Sequence, residues 1–248
     1  MKKRRWFSLF LSFALLLPLF SLTSADAYED FDLDAKAGLL IEADTGEILY
    51  EKNAHQENYP ASLTKVMVAL LVFEAIDEGK IALTDSVTAT ESAFEGLSSD
   101  GSTANIVPGE TMTVEQLLNC MLIVSANEAC NILGETLYGS VDAFVARMNE
   151  RATELGCEHT HFANATGLHN SQHYTTAWDL YLITREAMKH DKFMEICNSK
   201  SYTVPATNMT DKPRELHSTN FLISNWRARG YVYRDAQGIK TGSTPEAG

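Results

Sequence analysis

From Leu63 to Gly79 the chain reads LTKVMVALLVFEAIDEG, with apolar residues on nearly every face of a helix. A helix apolar all round is stable only when neighbours cover it from every side, so this segment predicts a central helix around which the rest must be built. Tyr59-Pro60-Ala61-Ser62 leads into it, and Gly79 ends it.

The flanking sequence supplies the layers. Residues 37–52, AGLLIEADTGEILYEK, place an apolar stretch on each side of Asp44-Thr45-Gly46, the pattern of a β-hairpin. Between Lys80 and about Lys200 the signals are helical: Thr113 and Gln116 form a capping box, a second helix runs from about Glu128 to Tyr138, and Ser140 caps a third that Gly156 ends. After Tyr202 strand signals return, with Gly230–Arg234, a turn at Asp235–Gly238, and Ile239–Thr244. These terminal strands are expected to rejoin the first hairpin in one antiparallel sheet. The pattern predicts an α+β fold, with an α/β lobe of about 28–79 and 201–248 and an all-helical lobe of about 80–200.

The first residues stand apart. Lys2, Lys3, Arg4 and Arg5 precede an apolar run from Trp6 to Leu22, interrupted by Pro18 and Ser21, and Ala25-Asp26-Ala27 completes a small-x-small cleavage pattern. Residues 1–27 therefore read as an export signal peptide, and 28–248 as the exported, extracytoplasmic domain. Formal net charge is −13, and loss of those four basic residues makes it more negative, which argues against nucleic acid as a partner. Export permits disulfides, but Cys120, Cys130, Cys157 and Cys197 match no CxxC motif, and a chain of 248 residues needs no covalent staple, so buried free thiols are expected.

Ser62 and Lys65 lie three residues apart at the start of the buried helix, hence on one face. A serine hydroxyl becomes a nucleophile when a base takes its proton, and a lysine is that base once burial depresses its pKa. Free amides and the positive end of the helix dipole favour negative charge beside Ser62. Serine at a helix start is also a common cap, so the pair alone carries little. Lys65, however, sits in a helix too apolar to hold an amine without cause. Ser125-Ala126-Asn127 falls between two helices, where a hydroxyl and an amide can face Ser62 across a cleft. A second Ser-x-Asn at Ser218-Thr219-Asn220 shows how weak that pattern is by itself. Lys240-Thr241-Gly242 lies on a predicted strand, with the glycine leaving room for a substrate backbone.

The order SLTK, SAN, KTG in the contexts helix start, interhelix turn and strand is a known catalytic signature. With PASLTKVM, GETMTVEQLL, FANATGL, HYTTAWDL and GIKTGSTPEAG, it resembles the low-molecular-mass D-alanyl-D-alanine carboxypeptidases from about Asp34 to the end. The resemblance implies the α/β sandwich of penicillin-binding proteins and serine β-lactamases, an antiparallel sheet packed with helices plus an all-helical lobe. It implies that Ser62 is the acylated nucleophile, Lys65 the proton acceptor, Ser125 a proton relay and Asn127 a substrate-positioning amide. Lys240, Thr241, Gly242 and Ser243 would bind substrate, with the Ser62 and Ser243 amides as oxyanion hole. The implied partners are a peptidoglycan stem peptide ending in D-Ala-D-Ala and β-lactams as covalent inhibitors, with no metal or organic cofactor. Thr219 stands where some relatives carry a carboxylate-binding arginine. The family pattern continues past the position of Gly248, so the resemblance implies a C-terminal truncation and places any peripheral membrane association in that missing region.

Three other readings share some of these residues. A class A-like β-lactamase needs a Glu-x-x-x-Asn element, and Glu150, Glu154 and Glu186 are followed four positions on by Glu154, Glu158 and His190. A zinc peptidase would draw on His159, His161, His169 and His173, whose spacing matches no HExxH. A non-catalytic β-lactam sensor would form the acyl-enzyme without turnover.

Overall fold

The computed structural model describes residues 33–247. The expected export signal, residues 1–27, lies outside the described residues. The chain divides into two compact units, Met1–Ala35 and Lys36–Gly248. Of the first, only 33–35 are described, a bend in which the Ala35 amide donates to the Leu33 carbonyl over 2.8 Å.

The second unit opens with β1 (Gly38–Ile41) and β2 (Ile48–Lys52), paired antiparallel from Gly38 against Lys52 to Ile41 against Ile48, with a bulge between Leu40 and Ile41. The expected turn is there. Its organiser is Glu42, whose carboxylate accepts from the Thr45 amide (2.7 Å) and hydroxyl (2.6 Å), while Gly46 supplies a φ of +75°.

A 3-10 turn, Ala61–Thr64, runs directly into α1 (Lys65–Asp77). Every residue of α1 from Lys65 to Phe73 is buried, as the all-apolar sequence requires. Four helices cover it: α2 (Val114–Ile123), α3 (Asn127–Tyr138), α4 (Val141–Glu154) and α5 (Ala177–Ala187), the last of which also reaches β1. Fully burying a leucine or valine is worth about 1.5–3 kcal/mol, so this helix anchors the fold and the chemistry at its N-terminus.

Caps set the helix boundaries. Thr113 and Gln116 complete the capping box of α2, Ser140 caps α4, and Gly156 leaves α4 at φ +84°. Gly134 lets α3 and α4 approach, since a Cβ there would lie 2.4 Å from the Phe144 ring. A short pair, β3 (Ser86–Thr88) with β4 (Thr111–Thr113), precedes α2. After α5 come α6 (Asp191–Cys197), β5 (Ser201–Val204) and β6 (Arg214–His217), the two strands pairing with each other and packing on α2.

The terminal strands are a correction. Among the described residues the sheets are three separate two-stranded pairs, β1-β2, β3-β4 and β5-β6, and neither 230–234 nor 239–244 forms a ladder. A strand needs both a partner and a face to bury. Tyr231, Val232 and Tyr233 are all exposed, so their apolar character serves no core face, and the Tyr233 amide makes one isolated bond to the Leu222 carbonyl (3.0 Å). Among the described residues no helix is long and apolar enough to cross a membrane.

Candidate active site

Ser62 lies in the 3-10 turn, where N–H groups lack intrahelical partners. Two other segments press against it. Gly167, at φ +83°, lies where a Cβ would be 1.8 Å from the Ala61 carbonyl oxygen. A Cβ on Gly242 would meet the Pro60 carbonyl at 2.9 Å and the Ser62 amide nitrogen at 3.1 Å. Glycine at both positions lets backbone pack directly around Ser62. Ala61 (φ +47°) and Ser125 (φ +67°) both occupy the left-handed region, a conformation that costs a non-glycine residue about 1 kcal/mol or more and concentrates at functional sites.

Lys65 is completely buried. Its Nζ donates to Ser62 Oγ (3.0 Å), Asn127 Oδ1 (2.9 Å) and the Thr166 carbonyl (2.5 Å). Those three acceptors fill an ammonium. They equally suit a neutral amine, with two N–H groups directed at Asn127 and Thr166 and the lone pair at the Ser62 hydroxyl. Burial pulls the Lys65 pKa below the ordinary lysine range, outweighing the pull of the Glu128 carboxylate in the other direction.

Ser125 sits in the turn between α2 and α3, and Asn127 is the first residue of α3. Lys240 Nζ donates to Ser125 Oγ (3.0 Å) and to the Thr241 carbonyl (2.8 Å). Burial, and then the proximity of Lys65, lower the Lys240 pKa to about 7. The Thr241 and Thr219 hydroxyls share a hydrogen bond of 2.7 Å, so Thr219 adds a second hydroxyl beside Thr241. Ser243 follows Gly242 and, like it, is exposed. Ser62, Lys65 and Asn127 thus make one bonded group and Ser125 with Lys240 another, joined through residues 125–127.

Three participants were not assigned to this site from the sequence, His173 having been considered there only as a zinc ligand. The Thr166 carbonyl is a backbone group, which no side-chain pattern can single out. The Asn164–Gly167 turn that aims it carries a readable signal, since Asn164 Oδ1 accepts from the Thr166 amide (3.1 Å) and the Gly167 amide (2.8 Å). Glu128 is buried and holds the loop opposite, accepting from Thr103 Oγ1 (2.7 Å) and the Ala104 amide (2.8 Å). His173, also buried, accepts the Ala163 amide at Nδ1 (3.1 Å). Its Nε2–H therefore donates to Thr64 Oγ1 (2.7 Å), and that hydroxyl donates to the Ala61 carbonyl (2.8 Å). This chain fixes the strained peptide before Ser62.

The other histidines go separate ways: His159 to Glu57, His161 to the Gln172 carbonyl, His169 to the Tyr59 ring. Among the described residues, no three His, Cys, Asp or Glu side chains converge as a metal site. The four cysteines are free thiols, with Cys120, Cys130 and Cys197 buried.

Residues 23–248 match the family model described as D-alanyl-D-alanine carboxypeptidase. The chain is 39% identical over 214 residues to D-alanyl-D-alanine carboxypeptidase DacF of Bacillus subtilis, covering 86% of this chain and 52% of that protein. It is 31% identical over 236 residues to the D-alanyl-D-alanine carboxypeptidase of a Streptomyces strain, K15, covering 91% of this chain and 77% of that one. The crystal structure of the Streptomyces K15 DD-transpeptidase superposes with a TM-score of 0.77 at 31% identity, over 88% of this chain and 84% of that one. The chain spans about half the length of DacF and of the DacC and DacA proteins of Escherichia coli.

Proposed function

The chain belongs to the D-alanyl-D-alanine carboxypeptidase family, and on that premise we propose that it is an exported serine carboxypeptidase that removes the terminal D-alanine from peptidoglycan stem pentapeptides. The observation that carries this is Lys65. It is a completely buried amine in no ion pair among the described residues, 3.0 Å from a serine hydroxyl. A structural lysine gains nothing from such a position, whereas a base does.

In this reading neutral Lys65 accepts the Ser62 Oγ proton as Oγ attacks the carbonyl between the two D-alanines. The oxyanion is held by the Ser62 and Ser243 amides, and collapse breaks the C–N bond. The leaving amine takes a proton through Ser125, whose hydroxyl is bonded to Lys240. Water then attacks the ester, regenerating Ser62. Lys240 and the Thr241-Thr219 hydroxyls receive the terminal carboxylate, Gly242 leaves room for the substrate backbone, and Asn127 positions the acyl chain. The cleft runs between an α/β lobe (about 28–79 and 201–248) and a helical lobe (about 80–200). Support for that division is that Ser62 and Lys240 come from the first, and Ser125 and Asn127 from the second. The reading calls on no metal or organic cofactor, and on an extracytoplasmic location after removal of residues 1–27. Penicillins acylate Ser62, because a strained amide next to a carboxylate presents the same arrangement.

A β-lactamase needs a carboxylate to drive deacylating water. Glu128, the carboxylate acting on Lys65, is turned instead to the 103–106 loop. Assays with a D-Ala-D-Ala pentapeptide and a labelled penicillin, on this protein and Ser62→Ala, test the proposal. D-alanine release and penicillin labelling that both vanish in the variant support it. Rapid penicillin turnover points to a lactamase, labelling without D-alanine release to a sensor, and release surviving in Ser62→Ala removes Ser62 as nucleophile.

A further inference from the structure

The Asn127 oxygen that meets Lys65 is one end of an amide whose other end, Nδ2, lies against residue 101. A Cβ on Gly101 would be 2.8 Å from Nδ2. The next residue holds the main chain of the same asparagine, the Ser102 carbonyl accepting from the Asn127 amide (2.9 Å). Side chain and backbone of Asn127 therefore both rest on one loop.

Two ionised side chains grip that loop from opposite sides. Glu128 Oε1 accepts from Thr103 Oγ1 (2.7 Å), the Ala104 amide (2.8 Å) and the Ile106 amide (3.3 Å). Arg214 donates to the Ala104 carbonyl (3.2 Å) and the Asn105 carbonyl (2.9 Å), and its charge is matched by Glu110. The arginine ties the loop to β6. The glutamate ties it to the first turn of α3, the turn that carries Asn127. A buried carboxylate is retained where its oxygens are filled, and Glu128 is filled by loop donors alone among its printed bonds to Oε1.

We propose that Glu128 is a positioning residue for acylation: it fastens residues 101–106 to the first turn of α3, and the fastened loop keeps the Asn127 amide turned with its oxygen toward Lys65. The inference rests on the function proposed above, in which Glu128 touches no reacting atom. The two ends of an amide are nearly equal in size but opposite in hydrogen bonding. With the loop as a seat for Nδ2, the oxygen faces the amine. Without that seat the amide turns, and Lys65 meets N–H groups in place of an acceptor.

Lys65 is faced by Cys130 and Glu128 from α3, by Lys240 from the segment after Gly238, and by His173 through Thr64. At neutral pH Cys130 and His173 carry no charge, burial having moved their pKa values to about 11 and about 4. Glu128 is the carboxylate that favours the protonated amine. Removing its charge and loosening the Asn127 acceptor both favour the neutral amine, so both act on Lys65 in the same direction.

The test follows penicillin acylation against pH in Glu128→Gln and Gly101→Ala. Glutamine keeps the size of the side chain without its charge, whereas alanine at 101 leaves Glu128 intact and pushes directly on Asn127 Nδ2. Both variants are expected to lower the plateau rate by about ten- to hundredfold and to move the rising limb to lower pH. Hydrogen exchange at the Asn127 amide is expected to quicken in Glu128→Gln. A normal rate and an unmoved limb in either variant overturn the proposal, since one removes Glu128 from it and the other removes the loop. A lower plateau with an unmoved limb in both also overturns it, because a purely structural defect takes that form. Carbon NMR of the lysine Cε reads the Lys65 titration without any reaction. If the unaltered protein takes no penicillin label, a titration that still moves in both variants retains the positioning and rejects the proposed reaction, and a titration that stays put rejects both.

Discussion

Gly167 lies against Ala61 so closely that a Cβ on Gly167 would be 1.8 Å from the Ala61 carbonyl oxygen. The Thr166 carbonyl that binds Lys65 is one peptide away, so the same packing places backbone beside Ser62 and an acceptor beside Lys65. Gly167→Ala must move either the 164–167 turn or the peptide before Ser62, and it also demands φ +83° of an alanine. Expected is a loss of about 1–3 kcal/mol in stability and a fall of at least about a hundredfold in penicillin acylation. Denaturant midpoints and labelling rates measured together check this, and a variant that acylates normally would remove the packing argument.

Asn127 accepts from Lys65 with a neutral oxygen. Asn127→Asp places a carboxylate at 2.9 Å from the amine, holding the proton on Lys65. Acylation at neutral pH should fall by about 10²–10⁴ and recover as pH rises, with little loss of fold. Labelled-penicillin kinetics between neutral and alkaline pH would show this, and wild-type rates at neutral pH would contradict the neutral-base mechanism.

Lys240 loses its charge as pH rises through about 7. On the proposed function, attraction for the substrate carboxylate weakens above that value, so KM should rise between pH 7 and 9. The neutral fraction of Lys65 grows with pH and favours acylation. The effect on stability has the opposite sign to that on binding. Because the folded pKa of Lys240 lies below the ordinary 10.5, the unfolded chain binds more protons between about 7 and 10.5, and this group's contribution to stability improves as pH rises across that window. Chemical denaturation of this protein and Lys240→Met over the window should give a smaller rise in the variant, and a KM flat with pH would sink the assignment.

His173 is held neutral, burial lowering its pKa to about 4. Between about 6.5 and 4 the unfolded chain takes up a proton that the folded chain refuses, so stability falls as pH drops through this range. Charging the ring also puts a proton on Nδ1, facing the Ala163 amide. His173→Phe should flatten this acid limb in a denaturation series. It also leaves the Ala163 amide without a partner, at about 1–3 kcal/mol, and the Thr64 hydroxyl with only its bond to the Ala61 carbonyl. An acid limb of unchanged steepness would assign the loss to other groups.

The central helix was legible because burial on all sides leaves a periodic signature, and Ser62 with Lys65 followed from their spacing on it. Thr113 and Ser140 were readable as caps for a similar reason: a cap is a local bond. The end of the chain was misread because strand formation is not local. Apolar character at Tyr231, Val232 and Tyr233 says nothing about whether a partner strand lies beside them. The supports of the site were hidden for a third reason. The Thr166 carbonyl is common to every residue type, and His173 acts through Thr64 on a neighbour's backbone, a relation that exists only after folding.

The pairing of Thr219 with Thr241 sets how this site responds to its surroundings. A guanidinium would draw an anionic substrate from a distance, and dissolved ions would dull that attraction over a Debye length of about 8 Å at physiological ionic strength. Two hydroxyl dipoles act only at contact, inside the range where ions intervene. On the proposed function, salinity at this end of the cleft therefore acts through Lys240 alone, while the contribution of the hydroxyl pair depends on how well the carboxylate fits.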